Sequence, residues 1–257
     1  MLRTLLICGL LAGIAGGLLA TGFAEIAGEP AVNKAIAFEE QRDKAEGVAP
    51  GPELVPRDIQ RSFGLLTAAV VYGLALGGLF ALVFAFVYGR VGKASPARTS
   101  LWLAAGAFVT VFLVPFVKYP SNPPSIGNPD TIDRRTALYL TMVAISLLAA
   151  VAAARLRVVL ARRMSGGHAT LLAVAAYLVV VIVAGLAGLA LPGIHEVPKG
   201  FPATTLFNFR EASVGIQLVL WTTVGLIFAV LAPRVMAGKT IFPRRSSAPE
   251  RVAATRE

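Results

Sequence analysis

The sequence predicts an all-α, polytopic integral membrane protein with six transmembrane helices. Three observations carry that prediction. Six long apolar runs without a charged residue lie between Thr4 and Pro233, and the segments between them alternate in charge. Of 257 residues, 56% are hydrophobic and 15% charged, which suits one membrane domain without a sizeable soluble one. Crossing a hydrocarbon layer of about 30 Å takes roughly 20 helical residues at about 1.5 Å each. Helices are therefore expected near residues 4–27, 62–89, 99–117, 136–154, 169–191 and 212–233 as one domain over 1–233, followed by a basic tail, 234–257, of disordered, lipid-facing character.

The first run, Thr4 to Ala24, follows Arg3 and ends in small residues, so a cleaved leader and a retained helix are both open. Its length favours retention, because a leader's apolar core is usually about 7–15 residues. Gly9, Gly13 and Gly17 recur every four residues, as do Gly73 and Gly77 in the second run, Ser62 to Gly89. Such faces let two helix backbones approach closely. Packing of the first helix on the second is the expected use, with a homo- or hetero-oligomeric interface as the alternative. Cys8, the only cysteine, has no intrachain partner for a disulfide.

Between these runs, Glu25 to Arg61 is expected to be a long acidic loop broken by Pro50, Pro52 and Pro56. Glu39, Glu40, Asp43 and Glu46 cluster there on a short amphipathic helix. Grouped carboxylates attract divalent cations, and they also make an ordinary solvated face.

The third and fourth runs, Thr99 to Val117 and Thr136 to Ala154, bracket KYPSNPPSIGNPDTIDRR, Lys118 to Arg135, whose prolines and glycine fix a rigid non-helical path. The fifth and sixth, Ala169 to Ile194 and Ala212 to Pro233, bracket LPGIHEVPKGFPATTLFNFRE, Leu191 to Glu211. There His195 and Glu196 offer an imidazole nitrogen and a carboxylate oxygen, ligands that borderline divalent metals accept. A polar end-anchor is the other reading of that histidine. Pro115, Lys118 and Pro120 echo Pro192, His195 and Pro198, while Arg61, Arg134 and Arg210 each precede a helix at intervals of 73 and 76 residues. That echo suggests three related helical hairpins. Pairing of these arginines with Asp130, Asp133 or Glu211 would hold the loops in register, so Asp130, Arg134, Arg210 and Glu211 are expected to be loop-structuring.

Six crossings put both termini on one side. Fourteen of the 24 Lys and Arg lie with the termini and ten in the other three loops, which favours cytoplasmic N and C termini. Twelve of the 14 Asp and Glu lie in those other loops, so the opposite surface is acidic where cations would arrive. The net charge of +10 sits mainly in short juxtamembrane loops and the tail, where membrane lipid rather than nucleic acid is the expected partner.

No phosphate-binding glycine loop ending in Lys-Ser or Lys-Thr occurs, no ionisable residue falls mid-helix, and His168 and His195, the two histidines, lie on opposite faces. A non-enzyme follows, without a permanent cofactor, and a passive conduit or a permease part completed by another chain.

VPFVKYPSNPPSIGNPDTIDRRTALYL, Val114 to Leu140, and HEVPKGFPATTLFNFREASVGIQLVLW, His195 to Trp221, resemble the CbtA family, predicted cobalt transporter components that are bacterial integral membrane proteins. The N-terminal helix, Phe38-Glu39-Glu40 and the glycine-bearing second helix fit as well, so the likeness covers most of residues 1–235. It implies a role in cobalt(II) uptake across the bacterial cytoplasmic membrane, linked to cobalamin synthesis and served by a small single-helix, histidine-bearing partner (CbtB). With it, Glu39, Glu40, His195 and Glu196 are expected to capture the cation. The first loop here holds no histidine, and oxygen ligands suit magnesium or manganese unless a partner supplies nitrogens. The alternative is a structural or assembly component of a larger membrane complex, its rigid loops serving as docking surfaces.

Overall fold

The structure is a computed structural model that describes residues 1–49, 54–189 and 196–239. Among these residues there is no strand. Six helices are long and apolar enough to cross a membrane: α1 (Leu2–Glu46), α2 (Arg57–Val87), α3 (Pro96–Lys118), α4 (Pro129–Leu160), α5 (Gly166–Leu189) and α6 (Ala203–Met236). We call the end of the bundle that carries residues 119–128 and 196–202 the loop side, and the end that carries Met1 and Met236 the terminal side.

The sequence expectation of a loop from Glu25 is corrected by α1, which continues through Glu46 for 45 residues. At about 1.5 Å per residue that is roughly 68 Å, about twice the hydrocarbon thickness, so its second half stands clear of the membrane on the loop side. Pro30 does not break it, because a π-helical stretch, Ala24–Gly28, precedes the proline. The α-helix resumes at Glu29, leaving Pro30 in a first turn where its missing N–H costs no hydrogen bond. The same device recurs in α3, where Phe108–Leu113 is π-helical and Pro115 falls in the resumed turn. α1 finally stops at Gly47, whose φ of 70° suits glycine, with the Val48 N–H bonding the Asp43 carbonyl at 2.9 Å.

Lipid tails are as apolar as leucine, so helices in a membrane associate through close packing more than through hydrophobic burial. The glycines of α1 and α2 provide it. A Cβ built on Gly13 would lie 2.1 Å from the Gly73 carbonyl oxygen, and one on Gly9 would lie 2.2 Å from that of Gly77. Another side of α1 packs on α6, with Gly16 under Leu220 and Val224, and α6 meets α3 where Gly225 faces Ala104. Toward the terminal side Leu5, Cys8, Phe80, Phe84, Val224 and Phe228 join one buried core. Phe228 sits edge-on to Phe80 and Phe84, with ring centroids 5.2 and 5.0 Å away.

α4 touches this bundle through the second half of α3, and α5 packs on α4 rather than on α6. The three hairpins suggested by the sequence echo thus pack differently, and among the described residues only α1 with α2 forms a close glycine-to-glycine pair. Tyr177 of α5 and Ser146 of α4 share a hydrogen bond of 2.9 Å. On the terminal side Arg157 donates to the Val91 carbonyl at 2.6 Å and to Thr170 Oγ1 at 2.8 Å, joining α4, α5 and the turn before α3. Residues 240–257, most of the tail, lie outside the described residues.

Candidate functional site

The loop-side cap is built on the projecting half of α1. Ala35 and Phe38 point from that helix at Ile126 of the proline-rich loop and Phe201 of the last loop, and Leu206 of α6 closes the cluster. Phe38 and Phe201 meet edge-to-face, centroids 5.1 Å apart and planes at 72°, a geometry worth about 0.5–1.5 kcal/mol beyond burial. Thus the segment Phe38-Glu39-Glu40 anchors the cap through its aromatic member, leaving Glu39 half-buried and Glu40 exposed beside it.

A set of polar ties fixes the loops. Glu196 accepts from the Asn128 N–H at 2.9 Å and from the Thr131 hydroxyl, and its carboxylate lies 3.6 Å from Arg135 Nε. Its side chain is 14% exposed. The Thr131 hydroxyl, then the Asn128 amide and the Arg135 guanidinium, hold the Glu196 carboxyl below the ordinary carboxylate range against the opposing effect of desolvation. Arg210 donates to Asn122 Oδ1 at 2.9 Å and to the Ser121 carbonyl at 3.3 Å, and the Ser121 hydroxyl donates to Ser213 Oγ at 2.9 Å. Asn128 caps α4 by accepting from the Asp130 N–H at 2.9 Å. At the start of α2, Arg57 donates to Glu29 and, at 3.2 Å, to Asn33, while Arg61 lies 3.9 Å from Glu25.

The predicted pairings are therefore redistributed. Arg210 ties the loop, with Asn122 and a carbonyl as its partners. Arg134, Asp130, Asp133 and Glu211 are exposed, and their side chains make no ion pair among the described residues. The guanidinium that meets Glu196 belongs to Arg135, and sequence reasoning missed it because the partner lies 61 residues away. Its signal was the run of Asp133, Arg134 and Arg135 at a helix start, where each residue faces a different direction.

Among the described residues no group of three or more His, Cys, Asp or Glu side chains is placed to hold a metal ion. His195 and the neighbouring Pro192 lie outside the described residues. Of the remaining cation-capture candidates, Glu196 is engaged by the loop, whereas Glu39 and Glu40 make no ion pair among the described residues. Asp58, Asp130, Asp133 and Glu211 likewise make no ion pair among the described residues, and they are interspersed with Lys34, Lys44, Lys118, Arg134 and Lys199, which make none either. The loop-side segments, with 12 acidic and 10 basic residues in the sequence, thus carry only a slight negative excess.

No curated protein and no solved structure matches the chain. The family described as "Probable cobalt transporter subunit (CbtA)" matches residues 2–233, from the first helix almost to the end of the last.

Proposed function

The chain belongs to the CbtA family of cobalt transporter subunits, and from that membership we propose that it is the membrane-embedded part of a divalent-cation uptake system, with cobalt(II) as the cargo. The family match over all six spanning helices is the observation that carries this reading. The acidic loop side supports it as a cation-collecting face, and the basic residues around the termini support cytoplasmic N and C termini in a bacterial plasma membrane. We place its biological use in cobalamin synthesis, as members of the family imply. The chain works within a complex, completed by a small single-helix membrane protein of the CbtB kind whose histidines supply the nitrogen ligands that the first loop lacks. It performs no catalysis of its own.

In this scheme Glu39 and Glu40 draw the ion to the cap, and His195 with Glu196 receives it. Because both oxygens of Glu196 are engaged, capture there means exchanging the Thr131 or Arg135 contact for the metal. The test is radioactive cobalt uptake into metal-starved cells with and without the chain, with nickel, manganese and magnesium as competitors. Chain-dependent, selectively competed accumulation is expected. Uptake unchanged after His195→Ala combined with Glu196→Ala would remove the capture assignment. No chain-dependent uptake with the small partner co-expressed would leave the reading as a structural or assembly component.

A further inference from the structure

Three buried side-chain atoms of α6 have no hydrogen-bond partner among the described residues: Arg234 Nε at its terminal-side end and, in mid-helix, the side-chain oxygen of Gln217 and the indole N–H of Trp221. Trp221 is 5% exposed. Leaving a polar group unpaired in an apolar medium costs roughly 2–7 kcal/mol, so native structures pair such atoms with protein or water. Gln217 needs a donor and Trp221 an acceptor. They stand one helical turn apart on α6, a spacing at which one water placed between them would satisfy both, donating to the amide oxygen and accepting from the indole.

The pair continues a polar line. Arg210, Ser213, Gln217 and Trp221 follow at spacings of three, four and four residues, which puts them on one stripe of α6. Its upper end is the loop tie, where Arg210 and Ser213 meet Ser121 and Asn122. From Arg210 to Trp221 the stripe descends about 16 Å at about 1.5 Å per residue, roughly half the hydrocarbon thickness. Below Trp221 the same stripe turns apolar. Val224 and Phe228 follow, both fully buried, and the rings of Phe80 and Phe84 close against Phe228.

We propose that α6 lines a water-bearing half-path from the loop side to Trp221, with Gln217 as the oxygen that steers a hydrated divalent cation along it, and with Phe80, Phe84 and Phe228 as the apolar gate that closes it toward the terminal side. The assignment of the traveller rests on the cation-uptake reading; the assignment of the water does not. Small divalent ions shed their water reluctantly, so a neutral amide oxygen that hydrogen-bonds the hydration shell suits them. Closely packed apolar side chains bar the way by excluding water and yield only when helices move.

Cysteine accessibility tests it in the full chain. On a Cys8→Ala background, which removes the one native thiol, Gln217→Cys and Phe228→Cys are exposed in cells and in inverted vesicles to a charged, membrane-impermeant methanethiosulfonate. Gln217→Cys is expected to react about tenfold faster than Phe228→Cys, and only from the loop side, because labelling follows water access to the thiolate. Equal slow labelling at both positions would overturn the path. Should these variants fold poorly, hydroxyl-radical footprinting of the unmutated chain reads the same water: oxidation of Trp221 is expected, and its complete protection overturns the proposal. Gln217→Leu, similar in size without the polar atoms, should cut cobalt uptake about tenfold at unchanged membrane abundance, and unchanged uptake would remove the steering role. If Gln217→Cys is labelled while the unmutated chain takes up no cobalt, the path stands and the cobalt reading falls.

Discussion

Both carboxylate oxygens of Glu196 are held by the 128–135 segment, and this has a pH signature. A carboxyl whose folded value lies below the ordinary value of about 4.3 stabilises the tie fully above that pH and loses the contribution as pH falls through the lower, folded value. Hydrogen exchange over residues 119–135, corrected for intrinsic rates, should therefore be flat above about pH 5 and rise below about pH 4. Glu196→Gln should abolish that pH dependence; its survival in the variant would assign it elsewhere. Arg210→Ala removes two hydrogen bonds from a charged donor, each worth about 1.5–3 kcal/mol when buried and less at this half-exposed position, and should accelerate exchange in 119–123 several-fold. Single residues were only partly legible in the sequence. Glu196 beside His195 was visible as a polar pair, but its partners lie 61 to 68 residues upstream, a distance over which no local pattern reports. Arg210 was read as an arginine just before a helix, but that helix begins at Ala203 and Arg210 stands inside it, while its partners, Asn122 and a backbone carbonyl, carried no charge to suggest them.

At the level of elements, the glycine period of α1 and α2 was plain, because a four-residue repeat marks one helical face whatever it packs against. What the structure adds is the register, Gly13 on Gly73 and Gly9 on Gly77. Gly13→Leu drives a side chain into backbone and should cost at least about 1–3 kcal/mol, read as a lower melting temperature in detergent. Gly22→Ala, in open space on the same helix, should be neutral or slightly stabilising, since alanine is the better helix former. Equal losses in both would mean that the α1–α2 contact is not the close one described. The length of α1 was hidden for an opposite reason. Glu25 to Arg61 read as an acidic loop with only a short helix around Glu39 to Glu46, whereas the π-helical stretch before Pro30 lets the first helix run on unbroken to Glu46.

The whole molecule is an uneven assembly: α1, α2, α3 and α6 form a tight bundle, α4 leans on α3, and α5 leans on α4. Hydropathy predicts the number of spans because hydrocarbon demands about 20 apolar residues from each, but it carries no neighbour order, since lipid-facing and helix-facing positions are equally apolar. The loop side carries a slight excess of acidic over basic residues above the polar stripe of α6, which ends at an aromatic closure; in the proposed reading the first collects cations and the second admits them. The central claim is that this chain gives cobalt(II) a way across a bilayer. The direct measurement is cobalt entry into liposomes that contain the purified chain and its small histidine-bearing partner, followed with an entrapped metal-quenched dye under an inside-negative potential. The account predicts protein-dependent quenching that Gln217→Leu slows about tenfold; quenching no faster than in protein-free liposomes, with both chains inserted, would contradict it.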